Sequence, residues 1–285
     1  MAYSDDNRIA LTVLVFSLTI VMVAVPAAVL VLGNGSGNFA ASATVSNTPP
    51  TIQVDPSQNV GSGTPATSKA VYLYFNATDL NGATDLNDST MNLIINRTGN
   101  TARANTSCSM SAVNSSTRRY NCTVNIWYFD EAGTWTINAS IKDNSVNFVN
   151  DTTQSATLGT IDNIVLVNAS IAFSGSPGTT NNAASPNPET INNTGNVNYQ
   201  NVSLTGISFA NGTNTLSVGN VSVNITNSGG LGQVLVNNTA INITGGSTLP
   251  RGNNSVRDLY FWLNIPTGQP SGAYNATSSW TIATY

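Results

Sequence analysis

Between Tyr120 and Tyr128 every second side chain is apolar: Tyr120, Cys122, Val124, Ile126 and Tyr128 alternate with Asn121, Thr123 and Asn125. Thr134–Lys142 repeats the pattern with Trp135, Ile137, Ala139 and Ile141, and Asn220–Thr226 with Val221, Val223 and Ile225. A period of two suits a strand with one buried face; a helix would bring its apolar residues back every three or four positions. Candidate strands in the first half are Ala70–Thr78, Thr90–Arg97, Tyr120–Phe129 and Thr134–Lys142, bounded by Gly, Asn, Asp or Pro. Asp130-Glu131-Ala132-Gly133 reads as the turn between the last two. In the second half the candidates are Ile164–Phe173, Asn201–Phe209, Leu216–Thr226, Gln233–Ile243, Asp258–Ile265 and Ala273–Ala283. From Thr51 onward the chain is expected to be mainly β.

One segment departs from this pattern. Ile9–Leu32 is a run of 24 residues without a charge. As a helix it would extend about 36 Å, enough to cross a bilayer core with some tilt. A cleavable signal has a shorter apolar region after basic residues, whereas Asp5 and Asp6 outweigh Arg8 here. Residues 1–32 are therefore expected to hold a retained apolar helix, as a membrane span or a filament core. Its N-terminus stays inside, with Arg8 as a weak positive-inside signal. Pro26 within the run deletes one backbone bond and can bend the axis. Residues 33–50, rich in Gly, Ser, Ala and Asn, read as a flexible stalk.

Charged residues make up 8% of the chain, against about 25% in typical soluble proteins. Asn, Ser and Thr take their place. Only Arg118 and Arg119 are adjacent among nine basic residues, so there is no track for phosphates and nucleic acid is not an expected partner. Histidine is absent, which removes the commonest general base and zinc ligand. The two cysteines, Cys108 and Cys122, would meet across adjacent strands of a hairpin. A disulfide in an oxidising compartment is the expectation, with two buried thiols as the alternative.

The Asn-x-Ser/Thr acceptor pattern starts at Asn34, Asn76, Asn87, Asn96, Asn105, Asn114, Asn121, Asn138, Asn150 and Asn168, then at Asn192, Asn201, Asn211, Asn220, Asn224, Asn237, Asn242, Asn253 and Asn275. With 41 Asn and 67 Ser plus Thr, chance alone would place about ten sequons in the chain; there are 19. None precedes the apolar run. Asn121, Asn138, Asn220 and Asn224 fall opposite the apolar faces of their strands, where solvent is expected. Covalent N-linked glycans are expected, on an extracellular surface; no other cofactor is.

About residues 49–157, which contain the expected domain 51–157, resemble immunoglobulin-like repeats of microbial surface proteins. The resemblance rests on Pro49-Pro50-Thr51-Ile52, on Asn76-Ala77-Thr78-Asp79-Leu80-Asn81-Gly82 and on Ala132-Gly133-Thr134-Trp135-Thr136-Ile137. It implies a fold and no activity. Residues 158–285 read as a second β-sandwich. The expected architecture is thus mainly β: one N-terminal apolar α-helix followed by two immunoglobulin-like β-sandwich domains. Between Asn163 and Tyr285 the only charges are Glu189, Arg251, Arg257 and Asp258, and no Lys follows Lys142. Sheet edges are normally guarded by charge, so these edges are either covered by glycans or paired with other subunits.

Few groupings could carry chemistry. Asp79, Asn81, Asp85 and Asp88 offer oxygens at alternate positions, as calcium loops do, but no bidentate Glu completes that pattern. An Asp-rich turn accounts for the cluster, and no metal is assigned. Asp130 and Glu131 are neighbours in a turn, and no base stands beside any Ser or Thr, so no catalytic residue is assigned and the chain is not expected to be an enzyme. Trp135 and Trp280 share faces with Ile and suit a core; Trp262 lies opposite Leu259, Phe261 and Leu263, on a face expected to be exposed or to meet a neighbour.

One apolar helix, a stalk and glycosylated β domains resemble the plan of archaeal pilins. The resemblance implies a structural subunit of a pilus-like surface filament, with copies of itself as partners and residues 9–32 in the membrane before assembly. A membrane-anchored adhesin or envelope component, S-layer-associated, is the alternative.

Overall fold

The alternating stretches of the first half become long paired strands. The computed structural model describes residues 40–56, 58–244 and 246–285; the expected helix Ile9–Leu32, residues 33–39 of the expected stalk and Asn34 lie outside them. Among the described residues no helix is long and apolar enough to cross a membrane. The chain is mainly β, arranged in several sheets.

Nine strands form the first sheet: β1 (Thr51–Val54), β2 (Gln58–Gly61), β3 (Ser68–Thr78), β4 (Leu86–Asn96), β5 (Arg103–Ala112), β6 (Thr117–Trp127), β7 (Gly133–Asp143), β8 (Phe148–Asp151) and β9 (Ser155–Leu158). The order is β1-β3-β6-β5-β4-β7-β9-β2, with β8 also on β7. All pairs are antiparallel except β2 with β9. The inward residues of β3 (Val71, Leu73, Phe75, Ala77) and β6 (Tyr120, Cys122, Val124, Ile126) meet those of β4 (Leu93, Ile95) and β7 (Trp135, Ile137, Ala139, Ile141) in one apolar core. Phe75 and Tyr120 stack with ring centroids 4.8 Å apart. Fully burying such side chains contributes about 1.5–3 kcal/mol each, which rewards strict alternation in these strands.

β5 was not among the candidate strands, because its sequence, RANTSCSMSA, is polar. It is nevertheless held along the length of β6, with Cys108 facing Cys122. Backbone pairing and one cross-link, rather than burial, position it.

The second half holds a second core, including Ile191, Val202, Leu204, Val218, Val221, Leu235, Leu249, Leu259 and Phe261. A six-stranded sheet runs from Ile164–Leu166 through Glu189–Asn193, Ser255–Leu263 and Val221–Asn224 to Gln233–Val234, with Asn182–Ala183 also on Ser255–Leu263. Two three-stranded sheets accompany it. The strands here are shorter than their sequence suggests. Gln233–Ile243 is cut by a turn containing Asn238 at φ 56°. Leu216–Thr226 is cut by the 3-10 turn Val218–Asn220, where Ser217 Oγ accepts from the Gly219 amide. Ala273–Ala283 divides into Asn275–Ala276 and Thr281–Thr284, which lie in different sheets. Ile164–Phe173 is a strand only to Leu166. At Leu216–Thr226 the cause is the same composition that replaces charge: the Ser217 side chain binds nearby backbone and competes with the ladder. Trp262, expected to be exposed or to meet a neighbour, is buried within the chain.

The two halves are tied together. Ala66 donates to the carbonyl of Thr194 at 3.1 Å. Arg251 donates to the carbonyl of Phe129 at 3.1 Å and to Glu131.

Candidate functional site

Cys108 and Cys122 are directly opposite residues of β5 and β6 and are joined as a disulfide. The bond closes a short loop, with a sequence separation of 14. It staples a polar outer strand that burial alone would hold weakly.

None of the 18 described sequon asparagines is buried as a residue. Asn96, Asn114, Asn150, Asn237, Asn253 and Asn275 are exposed; the others are half-buried. Local geometry separates them further. In Asn87, Asn114 and Asn242 the side-chain oxygen accepts both the amide and the hydroxyl of the sequon Ser or Thr two residues on, an Asx turn. The amide nitrogen that would carry a glycan is engaged in two cases. Asn224 Nδ2 donates to Ser228 Oγ and to the carbonyl of Leu231, and Asn242 Nδ2 donates to Asn201 Oδ1. Asn121, Asn138 and Asn192 turn a buried, unpartnered Oδ1 inward.

The six-stranded sheet ends in two outermost strands, Ile164–Leu166 and Gln233–Val234. Around the first, Val165, Leu166 and Val167 are exposed; around the second, Leu231, Val234 and Val236 are exposed. No charged residue lies between Asn163 and Ala184 or between Ile225 and Pro250. Beside this sheet a cleft of about 1020 Å³ opens between residues 166–177 and 269–282. Leu204, Phe209, Phe261, Trp280 and Ile282 line its wall, and Glu189 lies at its side with Oε2 buried and unpartnered.

Most charges of the first half are spent on one another. Arg103 forks onto buried Asp130. Arg118 binds Asp88, and Arg119 binds Asp55 while lying over the Tyr74 ring. Glu131 receives Asn100, Arg97 and Arg251. The Asn100 amide, with Arg251 and Arg97 beside it, holds the Glu131 carboxyl below its ordinary value against the opposing effect of burial. The adjacent Asp130 and Glu131 therefore serve three guanidinium groups, Arg103 on the first and Arg97 and Arg251 on the second.

Of the acidic loop, Asp88 faces Arg118 and the Tyr120 hydroxyl, and Asn81 Oδ1 accepts from the Thr48 amide. Asp79 and Asp85 instead converge with a residue from the far end of β7, Asp143. One carboxylate oxygen of each lies within 4.8 Å of the others. Asp79 is fully buried; Oδ1 accepts from the Asn81 amide at 2.8 Å, and Oδ2 has no partner. Burial pushes the Asp79 carboxyl up, with repulsion from Asp85 and Asp143 adding to it. Burial acts on Asp143 the same way, but hydrogen bonds from Asn147 and Asn47 outweigh it and hold that carboxyl low. Sequence spacing pointed at the loop; nothing local pointed at Asp143.

No protein-family model matches the chain. No curated protein matches it. The crystal structure of dimeric latent PorU from Porphyromonas gingivalis matches 88% of this chain and 21% of its own, at 13% identity and a TM-score of 0.29. This chain thus spans about a fifth of that protein's length.

Proposed function

We propose that the chain is a structural subunit of an extracellular surface filament. The observation that carries this reading is the pair of uncharged outer strands, Ile164–Leu166 and Gln233–Val234, at opposite ends of one sheet and both flanked by exposed valines and leucines. Edge strands of solitary proteins are usually blunted by charge or proline. Two different unguarded edges on one body permit a head-to-tail contact, in which one edge of each copy adds to the opposite edge of the next. Such a contact is heterologous, and where its rotation does not close it yields an open polymer.

Within this proposal Ile9–Leu32 is a helix that holds the subunit in the membrane before assembly. Residues 51–157 and 158–285 are immunoglobulin-like sandwiches, and N-linked glycans keep a surface poor in charge soluble. No catalytic role is assigned.

A second reading, a membrane-anchored adhesin, is favoured by the cleft beside the same sheet, whose apolar wall includes Phe209, Phe261 and Trp280. Electron microscopy of purified surface material separates the two. Regular polymers containing this chain are expected; dispersed, detergent-soluble single copies reject the filament reading.

A further inference from the structure

From the convergence of Asp79, Asp85 and Asp143 we infer a calcium site at the pole of the first sheet where the chain enters its β structure. The sequence alone reads the Asp79–Asp88 loop as a turn. The fold changes that reading by adding a third carboxylate from 58 residues beyond Asp85 in the chain.

The distances suit one ion. The three donor oxygens lie within 4.8 Å of one another. Two ligands on opposite sides of a calcium ion are separated by roughly 4.8 Å, twice a Ca–O distance of about 2.4 Å. The set is entirely carboxylate oxygen, which favours a hard cation over zinc or copper. Loop carbonyls and water would complete a shell of about six to eight oxygens.

Asp79 supplies the independent pointer to a ligand. Its side chain is fully buried and its Oδ2 has no hydrogen-bond partner. Leaving a buried acceptor without a partner is unfavourable, and more so when it is charged. None of the three carboxylates is in an ion pair among the described residues, whereas Asp55, Asp88 and Asp130 each have an arginine. A divalent cation would supply the missing charge.

The site would join three segments: the turn after β3, the turn before β4 and the end of β7. It would also stiffen the residues that lead in, because Asn47 Nδ2 donates to Asp143 Oδ2 at 2.8 Å and Thr48 is bound to Asn81. Calcium would thus lock the segment before β1 onto the sheet.

The test uses the full chain in detergent, with CaCl2 as the probe. Calorimetric titration is expected to give one site half-saturated between about 0.1 and 1 mM, the range of extracellular modules. The thermal midpoint is expected to rise by roughly 3–6 °C in about 5 mM CaCl2 relative to EDTA. Asp85→Asn, at a half-exposed position, is expected to abolish that rise while leaving the midpoint in EDTA unchanged or higher, since it removes one of three like charges. Asp143→Asn is expected to abolish the rise too; if it does not fold, Asp85→Asn carries the test. No binding heat and no midpoint shift, a shift that survives Asp85→Asn, or an equal response to MgCl2 overturns the assignment.

Discussion

Arg251 reaches Glu131 across 120 residues of sequence and places Nη2 2.8 Å from Oε2. The same carboxylate holds Arg97 through Oε1, and the other arm of Arg251 binds the carbonyl of Phe129. Tyr128 adds a second tie, donating its hydroxyl to the carbonyl of Gly252 at 3.5 Å. One acidic side chain in a turn thus organises the contact between the two halves.

Glu131→Gln keeps the shape of this junction and removes its charge. Its partners are part-exposed, so a loss of about 1 kcal/mol in urea denaturation is expected. The pH dependence has a defined sign. Glu131 is held below its ordinary value of 4.5, and hydrogen bonds from Val54 and Thr153 outweigh burial to hold Asp151 below 3.8. Groups depressed in the folded state contribute stability above their unfolded values and lose it as pH falls through the folded ones. Stability is therefore expected to drop below the 4.5–3.8 window, less steeply in Glu131→Gln, as measured by denaturation across acid pH.

Removing the Cys108–Cys122 cross-link by a double substitution to Ala is expected to cost about 2–4 kcal/mol, chiefly by freeing the unfolded chain. β5 has few buried side chains to compensate. Hydrogen exchange should show β5 amides losing protection before those of β3 or β7.

Glycan occupancy is expected to follow the engagement of the asparagine amide. Asn96, Asn114, Asn150, Asn237, Asn253 and Asn275 are exposed and should be the most fully modified. Asn224 and Asn242, whose Nδ2 groups already donate, should be the least. Glycopeptide mass spectrometry of material from the native host checks this; full occupancy at Asn242 with none at Asn96 would contradict it.

Lysine at Val165 or Val234 is expected to block polymer formation without unfolding the chain, because both side chains are already exposed and a charge on an outer strand opposes edge pairing. Electron microscopy gives the polymer readout, and an unchanged thermal midpoint shows that the fold is kept.

What the sequence determined by itself was local. Alternation at Tyr120–Tyr128 and Thr134–Lys142 marked two strands and their inward faces, because side-chain direction in a strand depends only on the parity of position. It also set the spacing that lets Cys108 meet Cys122 across neighbouring strands, and the density of sequons. The tertiary structure decided what depends on register between distant segments: that Asp143 meets Asp79, that Asp88 turns away to Arg118, that Glu131 joins the two halves, and which two strands end the six-stranded sheet. Those relationships follow from how strands pair and how the sheet closes over its core, and a pattern read along the chain carries no record of its partner across the ladder. Turns sit between these levels. Two short strands of the second half end where Ser217 and Asn242 take up nearby backbone groups, a competition that composition hints at but that only the folded backbone resolves.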